Sequence, residues 1–474
     1  MIKNQGKDAD VLLHAICQQS WKEKLVPDDW RKGTIIPIHK KGSTMECSNY
    51  RGISMLSVPG KIYARILETR LRRQVEDQID EQQSGFRPGR SVQDHIFTIR
   101  QVMEKFIERN TELHLCFVDL EKAFDTVRRE ELWKALEEHN VSRKLVEAIQ
   151  SFYMKPKCAV RVAGEVSEEF EVKIGVRQEC ILSPLLFITF MDSVAKACTK
   201  MKKMNVGMLK LKPVNLSMLS FADDLALFGK SESDLQYNLN ILNNELKKRG
   251  MKINANKTKT MLVKKEAKKH NISLGRENLE QVNNYKYLGV MINSEGRLRE
   301  EINQRIQKAM SVYHQLGNSY ISKRELTTST KMTIYNTVFS PTLLYGSETW
   351  TLDSREHSRV QATEMKYLRR VIGKTKRDKV RNTTVREQTK VEDIKTKIEK
   401  NQLRWFGHVQ RMNDNRIAKS VYRAKAQGKR PRGRPRRKWE DDIREAMKIR
   451  NMTFVEGNKK CQDRVVWRGI VAGV

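Results

Sequence analysis

No stretch of the 474-residue chain approaches the roughly 20 apolar residues that a membrane span requires, so no membrane-embedded partner is expected. The opening residues, Met1–Gly6, lack the apolar core of a signal peptide. No two of the seven cysteines stand at a two-residue spacing, which excludes the usual zinc ribbons and a disulfide framework. Reduced thiols in an intracellular protein are the reading that remains. Acidic charge is scarce: 57 Asp and Glu face 91 Lys and Arg, leaving +34. An excess of that size points to a polyanion, most simply nucleic acid, with an anionic membrane surface as the competing partner. It says nothing about fold. At 39% apolar residues the chain can bury real cores, and its length suggests about two to four domains.

Periodicity divides the chain into an α+β part, about 30–295, and a mostly helical remainder. A helix over 10–25 leads to a strand at Gly33–Ile38 and the basic turn His39–Gly42. A helix runs from about Lys61 to Asp77, and the loop Ser84–Ser91 then carries Arg87 and Arg90, with Ser91 capping a helix to about Glu108. Lys40, Arg51, Arg87 and Arg90 all sit on or beside turns, where phosphate oxygens can meet backbone, so an anion site is plausible there. Leu113–Leu120 is a strand that delivers Asp119 at its end. Helices follow at about 129–139 and 142–153, and then a hairpin around Gly164. In the loop Gly175–Pro184, Ser183 is expected as N-cap and Pro184 in the first turn of a helix to about Lys203. Further on come a helix at Ser231–Arg249 ended by Gly250, strands at 257–263 and 285–292, and helices at about 299–317, 323–337, 355–372 and 391–411. Residues 374–474 hold 30 Lys and Arg against 12 Asp and Glu, so +18 of the excess lies there, densest at Gly428–Lys438.

Ser217–Gly229 organises the rest. Two apolar runs flank Asp223 and Asp224, the pattern of a buried hairpin with its acids at the turn. A solvated Asp-Asp turn is the ordinary reading of that dipeptide alone. Buried, the pair needs a cation or a shifted protonation to relieve its repulsion. Asp119 ends a second strand. Carboxylates from two adjacent strand ends are what paired divalent ions need for phosphoryl transfer to a nucleic-acid 3′ end, because Mg²⁺ takes oxygen ligands. Spacing alone does not bring the strands together.

Eight blocks in order carry a resemblance: Trp30–Gly42, Asn49–Ser54, Gln83–Ser91, Phe117–Asp125, Gly175–Pro184, Phe221–Asp224, Gly250–Asn254 with Lys257-Thr258, and Tyr287–Gly289. Together they resemble the reverse transcriptases of non-LTR (LINE-type) retrotransposons. More loosely, Leu344–Trp350, Trp405–His408 and the Gly-Arg-Pro-Arg stretch are similar to the C-terminal part of these elements. The resemblance implies a right-hand polymerase: N-terminal extension and fingers over 1–112, palm over 113–295, helical thumb over 296–373 and a basic nucleic-acid-binding region over 374–474. Asp119, Asp223 and Asp224 would be its catalytic, metal-binding acids for Mg²⁺ (or Mn²⁺). Phe124 would lie under the sugar of the incoming dNTP and exclude a 2′-hydroxyl. Lys40 and Arg51 would grip the triphosphate, Gln178 would line the nucleotide and template pocket, and Lys257 would neutralise or protonate the leaving pyrophosphate. Asp125 supports the strand–helix corner, and His39 and His408 are structural or solvent-facing.

The family pattern places Gly after the Gln and Pro two residues later, where this chain has Glu179 and Ile181. Added bulk and negative charge there imply an impaired copy. The implied partners are an RNA template and a DNA primer or target; no endonuclease precedes the polymerase blocks. The basic stretch implies a nuclear location with a cytoplasmic ribonucleoprotein stage. Its Pro431–Pro435 segment is similar to an AT-hook core, with a plain basic linker or import signal as the alternative. A catalytically dead polymerase fold serving as a nucleic-acid-binding protein is the competing reading of the whole.

Overall fold

The computed structural model describes residues 6–207, 214–264, 269–426, 428 and 431–473; Met1–Gln5, Lys429 and Arg430 of the stretches above lie outside them. The 16 strands among these residues, in order, begin with β1 (Lys32–His39) and β2 (Tyr50–Leu56), an antiparallel pair. After β3 (Leu113–Val118) come β4 (Lys157–Val162), β5 (Glu165–Val166) and β6 (Phe170–Glu171). These three form the hairpin around Gly164, and β4 joins β1 in parallel. Next are β7 (Met204–Val206), β8 (Val214–Leu216), β9 (Met218–Phe221), β10 (Asp224–Gly229) and β11 (Lys259–Val263). The last are β12 (Ser273–Leu274), β13 (Glu277–Asn278), β14 (Glu280–Gln281), β15 (Asn284–Tyr287) and β16 (Val290–Asn293). The central sheet has the order β14-β11-β3-β10-β9.

Strand β3 is buried at every position, which its near-continuous apolar sequence anticipates. Its alternate side chains enter different cores. Cys116 and Val118, with Leu225 and Leu227 of β10, pack against helices Arg129–Glu138, Arg143–Phe152, Ser183–Ala197 and Glu232–Lys248. Leu113, Leu115 and Phe117, with Ala226 and Phe228, pack against helix Val92–Glu108 and the β15–β16 hairpin. Helices on both faces leave the sheet only its edges and strand ends exposed. Asp119, Asp223 and Asp224 sit at one such end.

Local signals place most helices. Ser91 and Asp94 form a capping box at the start of Val92–Glu108, and Ser231 accepts from the Asp234 amide at the start of Glu232–Lys248. Gly250, at φ +78°, supplies the left-handed residue just past that helix. Three expectations need correction. Ser183 is the first residue of its helix rather than the cap; its hydroxyl is buried against the Tyr153 hydroxyl at 3.1 Å, and the helix ends at Ala197. The 285–292 segment is two strands, because Leu288 (φ +46°) and Gly289 (φ +85°) make a two-residue turn of the kind that closes hairpins. The helix expected over 323–337 is α-helical only at Thr328–Ile334, then widens into a π-turn over Tyr335–Phe339.

The helical half is continuous. One apolar core joins Ile302 to Ile398 and crosses position 373 without a break. Helix Ile394–Arg411 then carries Leu403, Trp405 and Phe406 into a second core with Trp439 and Trp467. Gly407 explains its place in Trp405–His408: a Cβ there would stand 2.3 Å from the Trp467 indole nitrogen, which donates to the Leu403 carbonyl at 2.8 Å. Phe97 of the Val92–Glu108 helix belongs to this core, its ring 4.7 Å from that of Trp439. All seven thiols are free, and none of the described helices is long and apolar enough to cross a membrane.

Candidate active site

Register places the acids. β3 and β10 pair antiparallel with Val118 opposite Leu225, so one step further along the ladder Asp119 faces Asp224. Residues directly opposite in an antiparallel pair share a face, which brings these two carboxylates to the same side. β9 and β10 pair up to Phe221 and Asp224, leaving Ala222 and Asp223 as a two-residue loop. Ala222 takes φ +58°, as tight hairpin loops demand. The hairpin with acids at its turn is thus as the sequence pattern anticipates.

What holds that turn is not evident from sequence. Gln83, 2% exposed, accepts from the amides of Ala222 (3.0 Å) and Gly85 (2.9 Å) through one oxygen. Its amide nitrogen donates to the Ser220 hydroxyl at 2.9 Å. Backbone bonds from Ser84 to Ser220 (3.0 Å) and from Ser220 to Gln82 (2.9 Å) complete the clamp. Gly85 must be glycine: a Cβ there would stand 2.5 Å from the Ala222 nitrogen. The Gln83–Ser91 block is therefore a brace for Asp223. Its arginines are consumed in that brace, which corrects the expectation of an anion site. Arg87 is buried, bonded to the Glu76 carboxylate and to the carbonyls of Glu76, Asp80 and Gln83. Arg90 is held in a fork on Glu81.

Asp119 is fastened by its backbone. Its amide donates to the Thr258 hydroxyl at 3.2 Å and its carbonyl accepts from Asn254 at 2.8 Å. The Lys257 ammonium lies 3.6 Å from Asp119 Oδ2, an oxygen that is buried and accepts no hydrogen bond. Two of the carboxylates, Asp223 and Asp224, have raised proton affinity. Loss of solvation, then the charges of Asp223 and Asp119, lifts Asp224 from the ordinary 3.8 to about 6. Asp223 is raised too, first by desolvation and then by Asp119, with Arg51 opposing. Both carboxylates still reach solvent while their surroundings are packed, so the direction carries more weight than the size. Tyr285 stacks on Phe117 at 4.3 Å, and its hydroxyl is pushed up to about 12 by burial and by the charges of Asp224 and Asp119.

Arg51, exposed on β2 opposite Ile38, is within electrostatic reach of the acids; Lys40, exposed just past β1, shows no contact with them. Phe124 is half-buried, its ring stacked on Phe187 at 4.2 Å. The Gly175–Pro184 loop presses on this corner: Val176 donates to the Phe124 carbonyl at 2.9 Å, and a Cβ on Gly175 would stand 2.8 Å from the Asp125 carbonyl. Gln178 donates to Asp125 at 2.7 Å, while its own amide oxygen is buried without a partner. Asp125 thus supports the corner, as expected. Glu179 adopts φ +67°, where a residue other than glycine costs about 1–2 kcal/mol, and its side chain is exposed to solvent. His39 bonds the Gly42 carbonyl at 3.1 Å, a structural role.

Among the described residues no three His, Cys, Asp or Glu side chains close into a ready-made metal cage. A hard divalent ion of the Mg²⁺ type does not demand one, since it keeps waters and takes one or two carboxylates plus substrate phosphates. A buried Asp119 oxygen that accepts no hydrogen bond, near two acids with raised proton affinity, fits such an ion.

A sheet end with opposed acids, a hairpin loop bearing a third and the Arg51 guanidinium within electrostatic reach define a class of palm-type nucleotidyl-transfer folds. Residues 38–292 match the family model described as "Reverse transcriptase (RNA-dependent DNA polymerase)", and the chain belongs to that family. It is 26% identical over 432 residues to a Drosophila melanogaster protein named "Probable RNA-directed DNA polymerase from transposon X-element", covering 86% of this chain and 45% of that one. It is 24% identical to the RNA-directed DNA polymerase from mobile element jockey of the same species, covering 73% and 38%. The chain spans less than half the length of these relatives. A solved structure of apo telomerase from Candida tropicalis aligns over 98% of this chain and 74% of that one at 13% identity and a TM-score of 0.46.

Two outcomes follow from the geometry. Gln83→Leu leaves the Ala222 and Gly85 amides without their acceptor and should lower stability by about 2–3 kcal/mol in urea denaturation. Asp224 binds its proton more tightly folded than unfolded, so its contribution to stability falls as pH rises from about 4 through about 6. Asp224→Asn should flatten that window in chelator-treated protein and raise stability at neutral pH by no more than about 1 kcal/mol, given solvent screening.

Proposed function

We propose that the chain is an RNA-directed DNA polymerase of a non-LTR retrotransposon, extending a primer 3′-OH with dNTPs on an RNA template. The observation that carries this reading is the opposition of Asp119 and Asp224 across β3 and β10, with Asp223 at the adjoining turn. Bound there, a pair of Mg²⁺ (or Mn²⁺) ions would lower the proton affinity of the attacking 3′-hydroxyl and offset the charge of the triphosphate. Asp119, Asp223 and Asp224 would hold them. The 3′-hydroxyl gives up its proton to solvent and its oxygen forms a bond to the α-phosphorus as the bond to pyrophosphate breaks. Arg51 and Lys40 offer positive charge to the triphosphate, a guanidinium fork and a point charge respectively. Lys257, beside Asp119, supplies a cation for the departing pyrophosphate. Phe124, backed by Phe187, offers a flat wall that a 2′-hydroxyl would strike, and Gln178 lines the same pocket. The basic C-terminal region suits a nuclear protein that handles nucleic acid.

A second reading, an impaired polymerase fold that only binds nucleic acid, draws on Glu179, strained at φ +67°, and on Ile181, 39% exposed. Primer extension on poly-rA/oligo-dT separates the two. Mg²⁺-dependent incorporation that vanishes in Asp223→Asn is expected; salt-sensitive binding with no extension by the unaltered chain would favour the second. Phe124→Val should relax dNTP-over-rNTP selection by about 10–200-fold, the worth of one pocket group. An unchanged ratio in an active variant would make Phe124 a core residue only.

A further inference from the structure

The basic stretch near the C-terminus is not a free tail. From Arg436 onward it is docked: Arg436 donates to the carbonyl of Gly296 at 2.8 Å and to that of Glu295, and Lys438 pairs with Glu108 at 2.7 Å. Trp439 is 1% exposed, with its indole bonded to the Glu348 carbonyl at 2.8 Å and its amide to Glu104 at 2.9 Å. Upstream, Pro431–Pro435 crosses a cavity of about 1080 Å³. Helix Val92–Glu108, the 295–297 turn after β16 and the starts of helices Arg299–Leu316 and Ser354–Val371 form its other walls.

Eleven Lys and Arg side chains line this cavity against five Asp and Glu. Several are committed, such as Arg297 to Glu295 at 2.9 Å. Four are not: Arg299, Arg355, Arg432 and Arg434 are exposed and make no hydrogen bond or ion pair among the described residues. Two of the four stand at helix starts, beside Glu300 in one helix and the Asp353–Glu356 capping box in the other. Arg299 opens an 18-residue helix and Arg355 is second in another, where the helix dipole repels cations. The first of these helices has Leu298 at its cap and no side-chain acceptor for its leading amides. Glu301 of its first turn is buried and paired with Arg305 at 2.8 Å. Pro431 and Pro435 remove backbone donors from the strap, and Gly433, at φ +118°, has nothing within 4 Å of its Cβ position.

We propose that this cleft is a binding site for the phosphodiester backbone of a nucleic-acid strand, with Arg299, Arg355, Arg432 and Arg434 as the phosphate ligands. Guanidinium forks match phosphate oxygens in pairs, and an uncapped helix start adds amide donors. The site is separate from Asp119, Asp223 and Asp224 and needs none of them. Because the strap is pinned at Arg436 and Lys438, it presents its arginines inward to a strand in the cleft, unlike a free hook lying along a minor groove.

The test uses the full chain in an Asp223→Asn background, so that failure of the polymerase reading does not affect it. Fluorescence anisotropy follows fluorescein-labelled single-stranded RNA, single-stranded DNA and an A·T-rich duplex over a range of salt. The combined variant Arg299→Gln, Arg355→Gln, Arg432→Gln, Arg434→Gln should bind single strands at least about tenfold more weakly at about 100 mM salt, with a salt slope shallower by about 2–3, as expected for about four lost phosphate contacts. A control removing Lys200, Lys203, Lys230 and Lys247, exposed outside the cleft, should change affinity less than about threefold. Preferential loss on RNA or on DNA identifies which strand the site takes. Equal effects in variant and control would overturn the proposal, as would a loss confined to the A·T-rich duplex.

Discussion

Repulsion among Asp119, Asp223 and Asp224 is the constraint around which this molecule is built. Three carboxylates converge at one end of the central sheet, and the charge of Asp119 raises the cost of ionising Asp223 and Asp224, with Arg51 opposing at Asp223 and Lys257 3.6 Å from Asp119. Such an arrangement survives only where packing elsewhere over-determines it. That packing is on view in β3 and β10, whose apolar side chains enter cores on both faces of the sheet and fix the register. A one-residue slip would reverse every side chain and separate the acids. The third acid depends on the Gln83 clamp instead, where a buried amide and a glycine with no room for a Cβ pin the hairpin loop from outside the sheet.

The C-terminal half is tied to this frame by a few aromatic and carbonyl contacts. The Leu344–Trp350 segment is the junction. Tyr345 donates to the Leu288 carbonyl at 3.0 Å, the Glu348 carbonyl takes the Trp439 indole, and the Trp350 carbonyl takes Gln402 at 2.8 Å. Phe97 reaches the last aromatic core from the helix that also covers the palm sheet. The helical region and the palm are thereby one packed body. That is why a sequence segment resembling a disordered basic tail ends up as a wall of a cleft.

Local chemistry was legible in the sequence; long-range partnership was not. The Ser91 cap, the end of the helix at Gly250, the apolar β3 strand and the acid-bearing hairpin all follow from a few neighbouring residues, whereas Ser231, read as the first helical residue, is the cap. The Tyr285–Ile292 segment reads as one strand because its apolar pattern continues through Leu288-Gly289, and only the paired positive φ angles show the turn. Arg87 and Arg90 look like anion ligands on a Gly/Pro loop until Glu76 and Glu81 are seen to occupy them. Gln83 opens one of the blocks, but its role as a brace gave no signal, since the Ala222 amide that it holds lies 139 residues further along. The substitution at Glu179 was visible, but its outward side chain and left-handed backbone were not.

The convergence of the acids is tested most directly by titrating chelator-stripped protein with Mn²⁺ and following the free ion by electron paramagnetic resonance, with a dideoxy-terminated primer, template and dNTP present. The account predicts saturable Mn²⁺ binding by the unaltered chain that is lost in both Asp119→Asn and Asp224→Asn. Retention of the same bound Mn²⁺ in either variant would mean that the two strand ends do not share an ion, and would contradict it.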